Sequence, residues 1–162
     1  MKNKFENSRN QPFIEKLKQD DHELKQKIVE LRTISRFNFK YFDASQNKQI
    51  EQYSEKEKND LIQKMLEISR ESLTKWKLSG KGKNRYSMLE EYECFPKKSD
   101  YELPKHVPEG IKWARFRFDG NVRLVGFIIP KGYRNELFSL ADLNTFFVVF
   151  YDLNHAFYKI GS

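Results

Sequence analysis

Cysteine is nearly absent: Cys94 is the single one among 162 residues. An intrachain disulfide is therefore excluded, and so is a zinc site built on paired cysteines. Histidine is scarce, at three, and no set of His, Cys, Asp and Glu shows metal-ligand spacing, so no metal or cofactor is expected. Neither a GxGxxG run nor a P-loop signature occurs. No stretch approaches the roughly 18 apolar residues of a membrane span, and the N-terminal MKNKFENSRNQPF lacks the apolar segment of a signal peptide. A lone thiol, no leader and no span predict a soluble protein of the reducing cytoplasm that does not engage a membrane.

What the chain has in excess is positive charge, with a formal net charge of +7. The excess is local. Within 111–134 stand Lys112, Arg115, Arg117, Arg123, Lys131 and Arg134 against Asp119 alone. Such a concentration favours a polyanionic partner. The aromatic share of 15% falls in short alternating runs and argues against global disorder.

Residues 1–11 read as a polar end. From Pro12 the spacing of Leu17, Leu24, Ile28 and Leu31 predicts a helix with one apolar face. That face either packs on the core or docks a partner. SRFNFKYF then switches to period two and predicts a strand with Phe37, Phe39 and Tyr41 on one side. Ser54 and Glu57 form a capping box that opens a second helical stretch, which the polar SRES (69–72) divides and Gly80 and Gly82 end. YSMLEEYECF (86–95) is read as a short helix, with Ser87 and Glu90 as a capping pair. Residues 96–110 form a long connection over the surface. IKWARFRF (111–118), VRLVGFII (122–129) and TFFVVFY (145–151) are strands, and 130–144 is expected to hold a short helix after Ser139.

The hairpin RFRFDGNVRLVGF admits two registers. A two-residue loop pairs Phe116 with Arg123 and buries a charge beside a ring, which costs several kcal/mol. A three-residue loop, Asp119-Gly120-Asn121, pairs Phe116 with Leu124 and gathers Arg115, Arg117 and Arg123 on the opposite face. The second is preferred. It sets Arg117 against Arg123, a repulsion that demands acidic side chains from elsewhere or an external anion. Trp113 falls on the same face, to stack on a base or to anchor the N-terminal helix.

ARFRFDGNVRLVGFII resembles the central hairpin of the RelE/ParE toxin superfamily, whose basic residues alternate along one strand before a "yRlvy"-like second strand. Arg115 and Arg117 match the alternating positions, and Arg123 matches the arginine of the second. FFVVFYDLNHAFY is similar to the superfamily's last strand, its polar bend and its C-terminal tyrosine, here Tyr158. This chain is longer than a typical member and has Asp152 and His155 where many carry a basic residue. The resemblance implies an α+β fold: an antiparallel sheet of about four strands with helices on one face, in a domain of residues 34–162 behind a helical extension of 1–33. It implies metal-independent cleavage of mRNA, on the ribosome in many members, with neutralisation by an antitoxin protein. Arg123, His155 and Tyr158 would then be catalytic, and Arg115, Arg117, Lys112, Lys131 and Arg134 would bind RNA. The alternatives carried beside it are a non-catalytic nucleic-acid-binding protein and a module whose basic face docks an acidic protein segment.

Overall fold

The computed structural model describes residues 10–80, 86–130, 132 and 143–159. The chain forms two compact units, Met1–Arg32 and Thr33–Ser162. The first is a helix, α1 (Gln11–Thr33), with Pro12 in its first turn, where a missing N–H costs no intrahelical bond. None of its residues is buried, and the stripe of Leu17, Leu24, Ile28 and Leu31 is exposed.

The second unit is α+β. It runs β1 (Arg36–Asn38), α2 (Glu55–Ile68), α3 (Leu73–Leu78), β2 (Leu89–Tyr92), β3 (Lys112–Arg117), β4 (Arg123–Ile128) and β5 (Thr145–Asp152). The strands make one sheet of order β1-β5-β4-β3-β2. It is antiparallel except for β1, which lies parallel to β5. It has five strands rather than four, because residues 86–95 supply β2 and not a helix. The reason lies in the alternation. Leu89 pairs with Phe116 in the core while Glu90 and Tyr92 face the other way, a period of two that a helix would scramble. Ser87 caps nothing; its hydroxyl donates to the Leu89 carbonyl.

The first strand is shorter than its sequence pattern. β1 stops at Asn38, whose side chain accepts from the Lys40 N–H and turns the chain. Phe37 joins the helix-side core, Tyr41 joins the opposite one, and Phe39 is exposed. Asn47 extends the sheet edge by side chain alone, donating to the Val149 carbonyl and accepting from the Tyr151 N–H.

The capping box is present: Ser54 Oγ accepts from Glu57 N–H and the Glu57 carboxylate accepts from Ser54 N–H. The chain breaks after Ile68 and restarts with Ser72 capping α3. Gly80 follows α3 at φ 94, a conformation glycine adopts without steric cost. Gly82 and residues 139–142 lie outside the described residues.

Both faces of the sheet are covered. On one side α2 and α3 bury Ile68 and Leu73 against Leu89, Phe116, Leu124, Phe146 and Val148. On the other, Trp113, Val125, Phe127, Phe150 and Phe157 form a second core. The connection after β2 is more than a surface strap there. Phe95 packs edge-on against Trp113, and Tyr101 stacks on Phe150 at 4.3 Å. Backbone bonds from Asp100 to Ala156 and from Lys159 to Lys98 tie it to the C-terminal tail. No helix among the described residues is long and apolar enough to cross a membrane.

Candidate nucleic-acid interface

The hairpin takes the three-residue register, with Phe116 opposite Leu124 and Arg117 opposite Arg123. The turn is closed by Phe118 N–H to the Val122 carbonyl, and Gly120 holds φ 58. Arg115, Arg117 and Arg123 therefore share a face with Trp113. Trp113 is buried among Phe95, Phe127, Phe150 and Phe157.

The acidic partner comes from the neighbouring strand. Glu90 stands opposite Arg115 in the β2–β3 pair. Its Oε2 accepts from Arg115 Nε at 3.1 Å, Arg115 Nη2 at 2.8 Å and Arg117 Nη2 at 2.8 Å. Burial pushes the Glu90 carboxyl upward, but the bonds and charges of Arg115 and Arg117 outweigh it and hold the group below its usual range. Across β4, Arg123 pairs with Asp152 in register. Asp152 is 1% exposed and acts as the hub of the following bend, accepting from the backbone N–H groups of Asn154, Ala156 and Phe157.

That bend places His155. Its φ is 57, a left-handed conformation uncommon outside glycine. Holding a side-chain-bearing residue there costs about 1–2 kcal/mol, and such strain concentrates at functional sites. His155 Nε2 lies 3.1 Å from Arg115 Nη1. A guanidinium only donates, so Nε2 is the acceptor and the ring is neutral with its proton on Nδ1. Burial first, then the charges of Arg115 and Arg123, push the His155 pKa below its ordinary value. Arg115 thus holds a carboxylate on one edge of its guanidinium and an imidazole on the other.

Aromatic rings frame the cluster. Tyr92 and Tyr158 lie at 5.5 and 5.6 Å from the Arg115 guanidinium carbon. Tyr86 covers Arg117 at 4.7 Å and is 78% exposed. Tyr158 is exposed as well.

The charges do not balance. Three arginines face the two carboxylates Glu90 and Asp152, leaving one positive charge in excess with His155 neutral. The excess is felt within the cluster: burial, and then Arg115 and Arg117, push the Arg123 pKa down. Two buried donors, Arg117 Nε and Arg123 Nε, find no acceptor among the described residues. Such groups are rare in folded proteins and call for an explanation.

No family model matches the chain, and no curated protein or solved structure matches it either. The functional reading therefore rests on this geometry and on the sequence resemblance.

Of the residues singled out from the sequence, Arg115, Arg117, Arg123, His155 and Tyr158 come together. Within the group their positions differ from the expected roles. Arg123 is 7% exposed and its Nη1 donates to the carbonyls of Gly120 and Val122, so it braces the hairpin turn. Arg115 is the arginine between the acid and the imidazole. Lys112 sits on the helix side of the sheet, paired with Glu91 and Glu93, away from the cluster. Lys131 and Arg134 lie outside the described residues. Sequence reading missed Glu90, Tyr86 and Tyr92. The available signal was the alternation in LEEY, which puts Glu90 and Tyr92 on one face once the segment is read as a strand.

Proposed function

We propose that the Arg115 cluster is an RNA-phosphate site and that the protein is a RelE-like, metal-independent ribonuclease of the cytoplasm, acting on mRNA, on the ribosome or free, and neutralised by an antitoxin protein. The observation that carries this reading is Arg115 bonded at once to Glu90 and His155 inside a cluster with surplus positive charge and two donors lacking acceptors. The chain order of one strand, helices and then antiparallel strands supports it, as does the matching of the arginine positions to the superfamily hairpin.

The chemistry follows from the groups. Ionised Glu90 takes the proton of a ribose 2′-hydroxyl as its oxygen attacks the adjacent phosphorus. Arg115 and Arg117 hold the phosphate oxygens and stabilise the charge that builds on the phosphorane. A phosphate beside His155 offsets the surrounding arginines and raises its pKa. The protonated ring then delivers its proton to the departing 5′-oxygen, leaving a 2′,3′-cyclic phosphate and a free 5′-hydroxyl. Tyr86 and Tyr158 offer faces on which bases stack.

Expression in a bacterial host tests this. Wild type should arrest growth and shorten mRNA, and Arg115→Ala and His155→Ala should relieve the arrest at equal protein level. Normal growth at confirmed wild-type expression, with RNA intact before purified protein and ribosomes, would overturn the reading. The exposed Tyr86 over Arg117 favours a second one, RNA binding without cleavage, in which binding weakens steeply with salt and no cyclic-phosphate product forms.

A further inference from the structure

We propose that α1 is the strand of a parallel two-stranded coiled coil and that its partner is α1 of a second copy of this chain. The inference rests on α1 alone and stands apart from the RNA reading.

α1 is 23 residues long with no buried residue. In proteins most of a helix's stability comes from packing an apolar face rather than from intrinsic propensity. Five of the helix's seven exposed large apolar residues keep a heptad. Ile14 and Ile28 occupy a positions, and Leu17, Leu24 and Leu31 occupy d positions, at 39% exposure or more. β-branched residues at a with leucine at d are the combination that favours parallel dimers. Phe13, at g, borders this seam and Val29, at b, lies off it; along the middle of the helix the apolar residues hold to a and d, which suits a coiled-coil seam.

The remaining a position is Asp21, and it settles orientation. A single polar residue at a fixes register and strand number at some cost in stability. In a parallel, in-register pair Asp21 meets Asp21 of the second copy. Each carboxylate already holds Lys25, at position e, at 2.6 Å, so the layer contains two ion pairs rather than two bare charges. An antiparallel pair would set each Asp21, with its Lys25, against a Leu24, so the polar layer would lose its polar counterpart and both ion pairs would be desolvated against an apolar side chain. At the flanks, Asp20 at g reaches Lys25 at the following e of the second copy and attracts it. The same relation sets Lys27 against Arg32, so the flanks are neutral in sum and the seam decides.

The test uses the full chain. Sedimentation equilibrium should give a dimer, and Leu17→Asn with Leu24→Asn should give a monomer whose second unit melts as in wild type. Asp21→Asn should tighten the dimer by about tenfold by removing the charge from the seam. In a Cys94→Ser background, which removes the one exposed native thiol, Leu17→Cys should oxidise to a covalent dimer with itself. A wild-type monomer at every concentration, a dimer indifferent to the two asparagines, or an Asp21→Asn variant no tighter than wild type would each overturn the proposal. So would crosslinking of Leu17→Cys only to Ile28→Cys, the mark of an antiparallel pair.

Discussion

Glu90→Gln tests the centre of the cluster most directly, because it removes one charge and changes almost no volume. In the wild type one carboxylate oxygen takes three guanidinium N–H bonds, at 2.8–3.1 Å. Arg115 is 3% exposed, so bulk solvent does not readily replace that partner. Breaking a fully buried ion pair costs roughly 3–5 kcal/mol. The Glu90 side chain is 36% exposed, so solvent screens part of the interaction and about 2 kcal/mol is expected. For a domain of this size that lowers Tm by about 4–8 °C. A double-mutant cycle with Arg115→Met isolates the pair and should give a coupling of at least about 1 kcal/mol. The pH dependence has a definite sign. The folded-state pKa of Glu90 lies below its ordinary value of 4.5, so the unfolded chain takes up the proton first as pH falls. The gap between wild type and Glu90→Gln should be constant near neutrality and close as pH drops below about 4.5, through the folded-state pKa. Urea unfolding across pH measures all of this. A coupling below about 0.5 kcal/mol, or a gap unchanged at acid pH, would refute the geometry.

Three further outcomes are expected. Arg115→Met removes a charge that holds the His155 pKa down, so an NMR titration should show its midpoint moving up toward 6.5; an unmoved midpoint would mean burial alone sets it. His155→Gly should be more stable than His155→Ala by about 1 kcal/mol, because only glycine relaxes at φ 57, and both should be equally inactive on RNA. Gly126→Ala should cost about 3 kcal/mol or more in urea unfolding. Its Cβ would run into the Phe147 carbonyl at the bulge between β4 and β5, where backbone cannot yield as a side chain does.

Much of this protein is set by local pattern. The capping box at Ser54 starts α2 because hydroxyl and carboxylate satisfy backbone N–H groups within one turn. The register of the arginine hairpin follows from a loop that keeps charge and ring on separate faces. These are short-range consequences of residue type, and the chain alone determines them, along with the one-sided crowding of Arg115, Arg117 and Arg123. The tertiary structure decided what meets that face. LEEY is too short for its alternation to outweigh helix propensity until it pairs with β3, and only that pairing sets Glu90 against Arg115. The bend after β5 reads as a polar turn, but Asp152, buried beside Arg123, folds three backbone N–H groups around itself and so turns His155 toward Arg115. Lys112 belongs to the basic stretch, and alternation already assigns it to the face opposite Arg115; what the fold added there is its partners Glu91 and Glu93. Alternation assigns each residue to a face, but which distant residues share that face depends on contacts between strands far apart in the chain, and those form only when the sheet closes.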